Sequence, residues 1–241
     1  MNFTERRKKC EELIARYYDN VPLRDQILDR NVRPFLQTPC VLIDAGCGCD
    51  LPLLGRYAKY ASLALGVDLV KPTVRLNGSM RVVVGALENL PVRSESVDVV
   101  VSRSVFEHLK EPVGVFREIN RVLRPRGILI FTTPNKYCYA SLVASLTPEF
   151  LKGLYFRTVF GDDAYDTFAV YYKANTAGAF RRLSQAANLK LEKIDAIRHY
   201  PYYLMFSPLL FRVGIWYDRI ITFFGLHWLQ SSWLVVMSKG E

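Results

Sequence analysis

The chain has 241 residues, half of them hydrophobic, which suits one α/β domain with insertions better than two domains and buries a core without disulfides. Five cysteines is an odd count, and two of them, Cys47 and Cys49, sit in a glycine-rich turn that a cross-link would distort; this argues against a disulfide framework and for reduced thiols in the cytoplasm. A formal charge of +9 favours an acidic partner (nucleic acid, anionic lipid or an anionic substrate), although scattered basic residues such as "ERRKK", "RPRG" and "FRRL" also read as an ordinary solvated surface.

In chain order, "MNFTERRKKCEELIARYYD" carries charges where a secretory leader would be apolar. Cys10, Leu13, Ile14 and Tyr17 follow helical spacing, with Thr4 as N-cap. Short apolar runs rich in β-branched residues come next: "CVLIDA" (40–45), "LALGVD" (63–68), "RVVV" (81–84), "VDVVVS" (97–102) and "GILIFTT" (127–133). Runs apolar on both faces suit strands buried between helices. The clearest helix is 112–124: Pro112 lies in its first turn, Phe116, Ile119 and Leu123 form its buried stripe, and Arg121 and Arg124 complement its C-terminal dipole. Residues 134–176 hold no clear strand. A helix resumes at "TAGAFRRLSQAANL" with Asn175 or Thr176 as cap, and strands follow at 189–197 and 233–238. The predicted fold is α/β, a doubly wound, mostly parallel seven-stranded sheet in a single domain. It divides into an N-terminal helical cap (1–37), a core (38–135) and two insertions (136–176 and 198–232) that act as acceptor lids.

No stretch reads as membrane-spanning: the apolar run from Tyr200 is interrupted by Pro201 and Pro208 and ends at Arg212. Residues 209–229 fit either an interfacial helix, with Arg212, Asp218 and Arg219 as its polar positions, or a buried insertion packed on the domain.

The stretch "VLIDAGCGCD" (41–50) carries the chemistry. In an open α/β sheet, ligands bind beyond the carboxyl ends of the strands, at the first βα turn. Glycines at 46 and 48 let backbone amides approach a ligand closely. A dinucleotide fingerprint would need a third glycine where Leu51 stands, and Asp44 would repel a pyrophosphate. That argues against a nicotinamide-dependent oxidoreductase. An acid at the end of the first strand suits instead a ligand with an ammonium group and a sulfonium. Cys40, Cys47 and Cys49, with His108, His199 and His227, lack zinc-ligand spacing, so no metal is expected.

"VLIDAGCG", then "GVD" (66–68), "GALENLPVRSESVDVVVSRSVFEHL" (85–109) and "REINRVLRPRGILIFTTPN" (117–135), in this order and spacing, resemble class I S-adenosylmethionine (SAM)-dependent methyltransferases. Among these, the chain most resembles the branch containing ubiquinone and menaquinone biosynthesis enzymes. The resemblance covers about residues 38–135. It implies that Asp44 and the backbone at Gly46 and Gly48 hold the methionine end, and that Asp68 accepts hydrogen bonds from the ribose hydroxyls. It places Leu69 on the adenine face, Leu87 at the adenine edge through its backbone, and Ser102 near the methionine chain and transferred methyl. His108, beside Glu107, is the candidate general base. The alternative is that Glu107 caps a helix and His108 packs under a lid. Tyr171, Tyr172 and His199 are weaker candidates. The chain departs from the family at Asp50, where a third glycine is usual and where it could N-cap the next helix. It departs again at Ala86, where an acid usually takes the adenine amino group, and in a shorter, less helical stretch after the second strand.

Aromatic-dense insertions imply a small apolar or aromatic acceptor, lipid-like and reached from a membrane surface, where positive charge helps. Methylation at oxygen is favoured over carbon or nitrogen. Nucleic acid is not expected as a partner, because basic and aromatic residues are not interleaved. The alternative function is a non-catalytic or degenerate SAM-binding module that docks on a membrane or protein.

Overall fold

The computed structural model describes residues 3–36, 39–146 and 168–241. Among these, seven strands form one sheet: β1 (Val41–Ala45), β2 (Leu63–Asp68), β3 (Met80–Val84), β4 (Val97–Arg103), β5 (Leu123–Pro134), β6 (Leu189–Ile197) and β7 (Ser232–Lys239). In space they run β3-β2-β1-β4-β5-β7-β6. The pairs β1–β2, β1–β4, β2–β3 and β4–β5 are parallel. This is the expected doubly wound α/β sheet, and each strand falls on a run picked out by periodicity. The order reverses at β1, which has β2 on one side and β4 on the other, and in open sheets of this kind ligands bind beyond the carboxyl ends at that point.

The α-helices among the described residues are α1 (Phe3–Tyr18), α2 (Arg24–Val32), α3 (Pro52–Tyr57), α4 (Pro112–Val122), α5 (Tyr139–Leu146), α6 (Ala177–Ala186) and α7 (Pro208–Phe223). Thr176 caps α6 as expected, its Oγ1 accepting from the Ala179 N–H at 3.1 Å. Three local expectations need correction. Thr4 lies inside α1 rather than ahead of it. The helix expected over 112–124 stops at Val122, and Leu123 is already extended. The reason is Pro125, which pushes Arg124 out of helical geometry. Arg124 therefore lies at the start of β5, after Leu123, and grips Asp98 with two bonds of 2.7 and 2.9 Å instead of serving a helix end. The third concerns Asp50, taken up below. Between β2 and β3 there is no helix, in keeping with the departure noted there. Of the insertion expected at 136–176, residues 147–167 lie outside the described residues.

The chain divides into two compact units. One comprises Asp25–Thr133, Val170–Asp195 and Trp233–Glu241 and holds most of the sheet. Its core includes the buried rings of Phe106, Phe116, Phe131 and Phe180; Phe131 lies 4.7 Å from Phe106 and 5.7 Å from Phe180 between centroids.

The other unit comprises Met1–Arg24, Pro134–Ala169 and Ala196–Ser232. Here α1 packs on α7 around Cys10, Tyr18, Met205, Phe211 and Ile215. Gly214 lets α7 approach Pro201 so closely that an added Cβ would sit 2.6 Å from the proline ring. Asp218, buried in α7, accepts from Tyr18 Oη at 2.9 Å and from Arg198 Nε at 2.7 Å. One face of α7 is buried in its unit and the other is open to solvent. Among the described residues, no helix is long and apolar enough to cross a membrane.

Candidate functional site

The site is built where four parallel strands of the sheet unit end. Register sets Asp44 of β1 opposite Gly66 of β2 and Val101 of β4, and sets Asp68 of β2 opposite Val84 of β3. The βα turn after β1 is pinned from its first residue, because the Gly46 N–H donates to Val67 O at 2.8 Å. Gly46 has φ +80° and Gly48 φ +67°, both in the left-handed region that favours glycine. The two have different surroundings. A Cβ at Gly46 would lie 2.2 Å from Val105 Cγ2, whereas one at Gly48 would meet nothing within 4 Å. Gly46 is therefore required by packing, and Gly48 faces open space that a ligand can enter.

Asp44 is almost wholly buried, at 1% exposure. Its Oδ2 accepts from the Leu54 N–H at 2.9 Å, while Oδ1 is buried without a hydrogen-bond partner among the described residues. Burial pushes the carboxyl up to about 7; the Leu54 N–H and the Arg103 guanidinium oppose the rise and Asp68 reinforces it. A carboxylate oxygen held this way fits an incoming cationic donor, which would supply the missing partner and favour ionisation.

The Leu54 contact corrects the assignment of Asp50. Helix α3 begins at Pro52 behind Leu51, which is itself left-handed at φ +53° and offers no side-chain cap. Asp44 supplies that cap from the preceding strand, satisfying an N–H of the first turn. Asp50 is instead bonded to Thr73 Oγ1 at 3.2 Å, away from the helix. The sequence offers Asp50 beside the helix and carries no local signal for a cap from the preceding strand.

Asp68 ends β2 and is partly exposed. Its Oδ2 accepts from the Gly48 N–H at 2.7 Å and its Oδ1 from the Val70 N–H at 3.1 Å. The glycine turn and this acid are thus one hydrogen-bonded unit, with the second lone pair of each oxygen left to accept from hydroxyl groups. Leu69 follows it as a surface residue with 61% exposure. Leu87 is buried, Ala86 beside it is exposed, and the Gly85 N–H donates to Asp68 O at 2.8 Å. Ser102 is buried, and its hydroxyl donates to Ala45 O at 2.7 Å, tying β4 to the end of β1.

Cys47 is a free, buried thiol. Its Sγ would be 2.7 Å from a Cβ at Gly66, so glycine in β2 is what admits the sulfur. Burial, with Asp44 and Asp68 nearby, pushes this thiol up to about 12 and keeps it neutral.

His108 closes a 3-10 turn, Phe106–His108, just after β4 and is half-buried. Glu107 is buried, and its Oε2 accepts from Thr133 Oγ1 at 3.2 Å, which in turn accepts from Asn175 Nδ2 at 2.6 Å. The Glu107 carbonyl also accepts from the Tyr171 N–H at 2.8 Å. Thr133 and Asn175 come from "FTTPN" and the approach to α6; their convergence on Glu107 has no local sequence signal. His199 belongs to the other unit, where burial holds its imidazole below the usual range and its Nδ1 lies 2.9 Å from Tyr200 O.

Residues 43–131 match the family model described as "Methyltransferase domain". A probable S-adenosylmethionine-dependent methyltransferase of Mycolicibacterium smegmatis is 36% identical over 107 residues, covering 41% of this chain and 40% of that protein. A malonyl-[acyl-carrier protein] O-methyltransferase of Methylovorus is 33% identical over 109 residues, covering 39% and 37%. A ubiquinone biosynthesis O-methyltransferase of Histophilus somni is 25% identical over 123 residues, covering 46% and 51%. The matches thus span about half or less of these relatives' own lengths. The crystal structure of an S-adenosylmethionine-dependent methyltransferase from Mesorhizobium loti superposes with a TM-score of 0.58 at 15% identity, covering 87% of this chain and 95% of that one, a likeness of fold.

Proposed function

With a class I SAM-dependent methyltransferase domain across residues 43–131 as its core, we propose that the protein methylates a small lipophilic or aromatic acceptor, at oxygen, in the cytoplasm and at a membrane surface. The observation that carries the reading is the pairing of Asp44 and Asp68 across one glycine turn, with Asp44 Oδ1 buried and lacking a partner among the described residues. Asp44 takes the ammonium group of the methionine end, and the amides around Gly46 and Gly48 line the chain. Asp68 accepts from the ribose hydroxyls, Leu69 covers an adenine face, and Leu87 meets the adenine edge through its backbone. Ser102 lies near the methionine chain and the transferred methyl, its hydroxyl bonded to Ala45 O at the end of β1. SAM supplies a methyl group on a positively charged sulfur, whose leaving group is neutral, so the protein's task is alignment and exclusion of water. His108 takes the acceptor's proton as the hydroxyl attacks, and the buried Glu107–Thr133–Asn175 network fixes the turn that carries it. Oxygen as the acceptor atom is supported by the malonyl-[acyl-carrier protein] and ubiquinone O-methyltransferases among the relatives.

Titration calorimetry with SAM tests the cofactor. The chain binds it, and Asp68→Ala weakens binding at least tenfold; no binding, or binding untouched by the substitution, refutes the reading. Exposed Ala86, which offers no side-chain acceptor for the adenine amino group, favours a second reading, a SAM-binding module without catalysis. Transfer of labelled methyl from SAM to any lipophilic extract rules that out.

A further inference from the structure

From the open face of α7 and its basic borders, we infer that this protein docks on the surface of an anionic phospholipid bilayer, with α7 lying along the interface. The inference rests on the membrane-surface reading above and supplies its face and its lipid. Leu209, Val213, Trp216, Ile220 and Phe223 recur at steps of three and four, so they form one stripe along the helix. All are exposed, Leu209 at 71%, Trp216 at 65% and Phe223 at 83%. The opposite stripe, with Phe211, Ile215 and Ile221, is buried in the unit's own core. A helix apolar on both sides has more apolar surface than its own unit covers, and an uncovered stripe of this length marks an interaction surface.

Charge selects the occupant. Within α7 the acidic residue is Asp218, which is buried and bonded to Tyr18 and Arg198, so the open face presents no negative side chain. Its charges are Arg212 and Arg219, both exposed and both along one edge of the stripe. Each end of the stripe also opens into a shallow basic concavity. At the start of α7, Arg6 and Lys9 of α1 face Leu209 and Arg212. Toward its end, Arg219 borders the space beside Trp216 and Phe223, where Arg198 is held in its pair with Asp218. Phosphate headgroups fit these concavities while the stripe enters the acyl boundary, with Trp216 at the level where an indole is most favourable. At 16 residues the helix is about 24 Å long, which suits lying in the interface rather than crossing it.

Vesicle co-sedimentation of the full chain tests this. Vesicles with about one third phosphatidylglycerol in phosphatidylcholine bind the protein, pure phosphatidylcholine binds it much less, and added salt weakens binding. Trp216→Glu/Phe223→Glu abolishes binding, and Arg212→Glu/Arg219→Glu lowers it about tenfold or more. All four side chains are exposed, so thermal melting and calorimetric SAM binding stay as in the parent, which separates lost docking from lost folding. No binding to the anionic vesicles, or binding equal in parent and variants, overturns the inference. So does a dimer in sedimentation velocity that Trp216→Glu/Phe223→Glu dissociates, since the face would then be covered by a second copy. Docking without SAM binding refutes the proposed activity alone; SAM binding without docking refutes the surface alone.

Discussion

Replacing Asp44 by asparagine separates the cost of burying its charge from the benefit of using it. The buried carboxyl is pushed from 3.8 to about 7. The folded chain therefore keeps a proton that the unfolded chain has lost. The stability this contributes is complete below about pH 4 and is lost as pH rises through 7. A rise of about three units corresponds to about 4 kcal/mol across that window. Asparagine keeps an oxygen for the Leu54 N–H but has no charge to desolvate. Urea unfolding from pH 4 to 8 should show the parent losing stability relative to Asp44→Asn by several kcal/mol, with the difference opening between about pH 4 and pH 7. Ligand binding reverses the preference. A cationic group at Oδ1 needs the ionised carboxylate, so SAM affinity of the parent should rise about tenfold from pH 6 to pH 8, while that of Asp44→Asn is weak and flat. Parallel stability curves for the two proteins would refute a carboxyl buried at the cost described, and a flat affinity profile for the parent would refute its role toward a cation.

The glycines of the turn should fail in different ways. Gly46→Ala meets Val105 and an unfavourable φ together, lowering stability by about 2–4 kcal/mol in a denaturant titration. Gly48→Ala meets no neighbour, so it should cost about 1 kcal/mol in stability yet weaken SAM binding more than tenfold by calorimetry. Thr176→Ala removes the cap of α6 and should cost about 1 kcal/mol, measured by the shift in melting temperature. Thr133→Val removes the hydroxyl between Glu107 and Asn175, taking one partner from each; a loss of about 1–3 kcal/mol in urea unfolding is expected, with kcat falling more than SAM affinity.

The seven strands and their alternation with helices could be read from the chain because local burial writes itself as runs of Val, Ile and Leu. The positions of Asp44 and Asp68 were legible for a related reason: each immediately ends such a run, and strand ends are where a doubly wound sheet binds ligands. What these residues touch was not legible. Asp44 caps α3 across ten residues, Gly48 donates to Asp68 across twenty, and Thr133 and Asn175 reach Glu107 from different parts of the chain. Asp50 looked like the natural cap because it stands beside the helix, but a left-handed Leu51 turns the chain and leaves that work to Asp44. Residues 209–229 supported two readings because periodicity reports that a helix has apolar faces, not how many of them its neighbours cover. Local composition determined where strands, turns and acids stand in this protein; only the tertiary structure decided which hydrogen bonds they complete and which apolar surface stays open, because both depend on contacts between segments far apart in sequence.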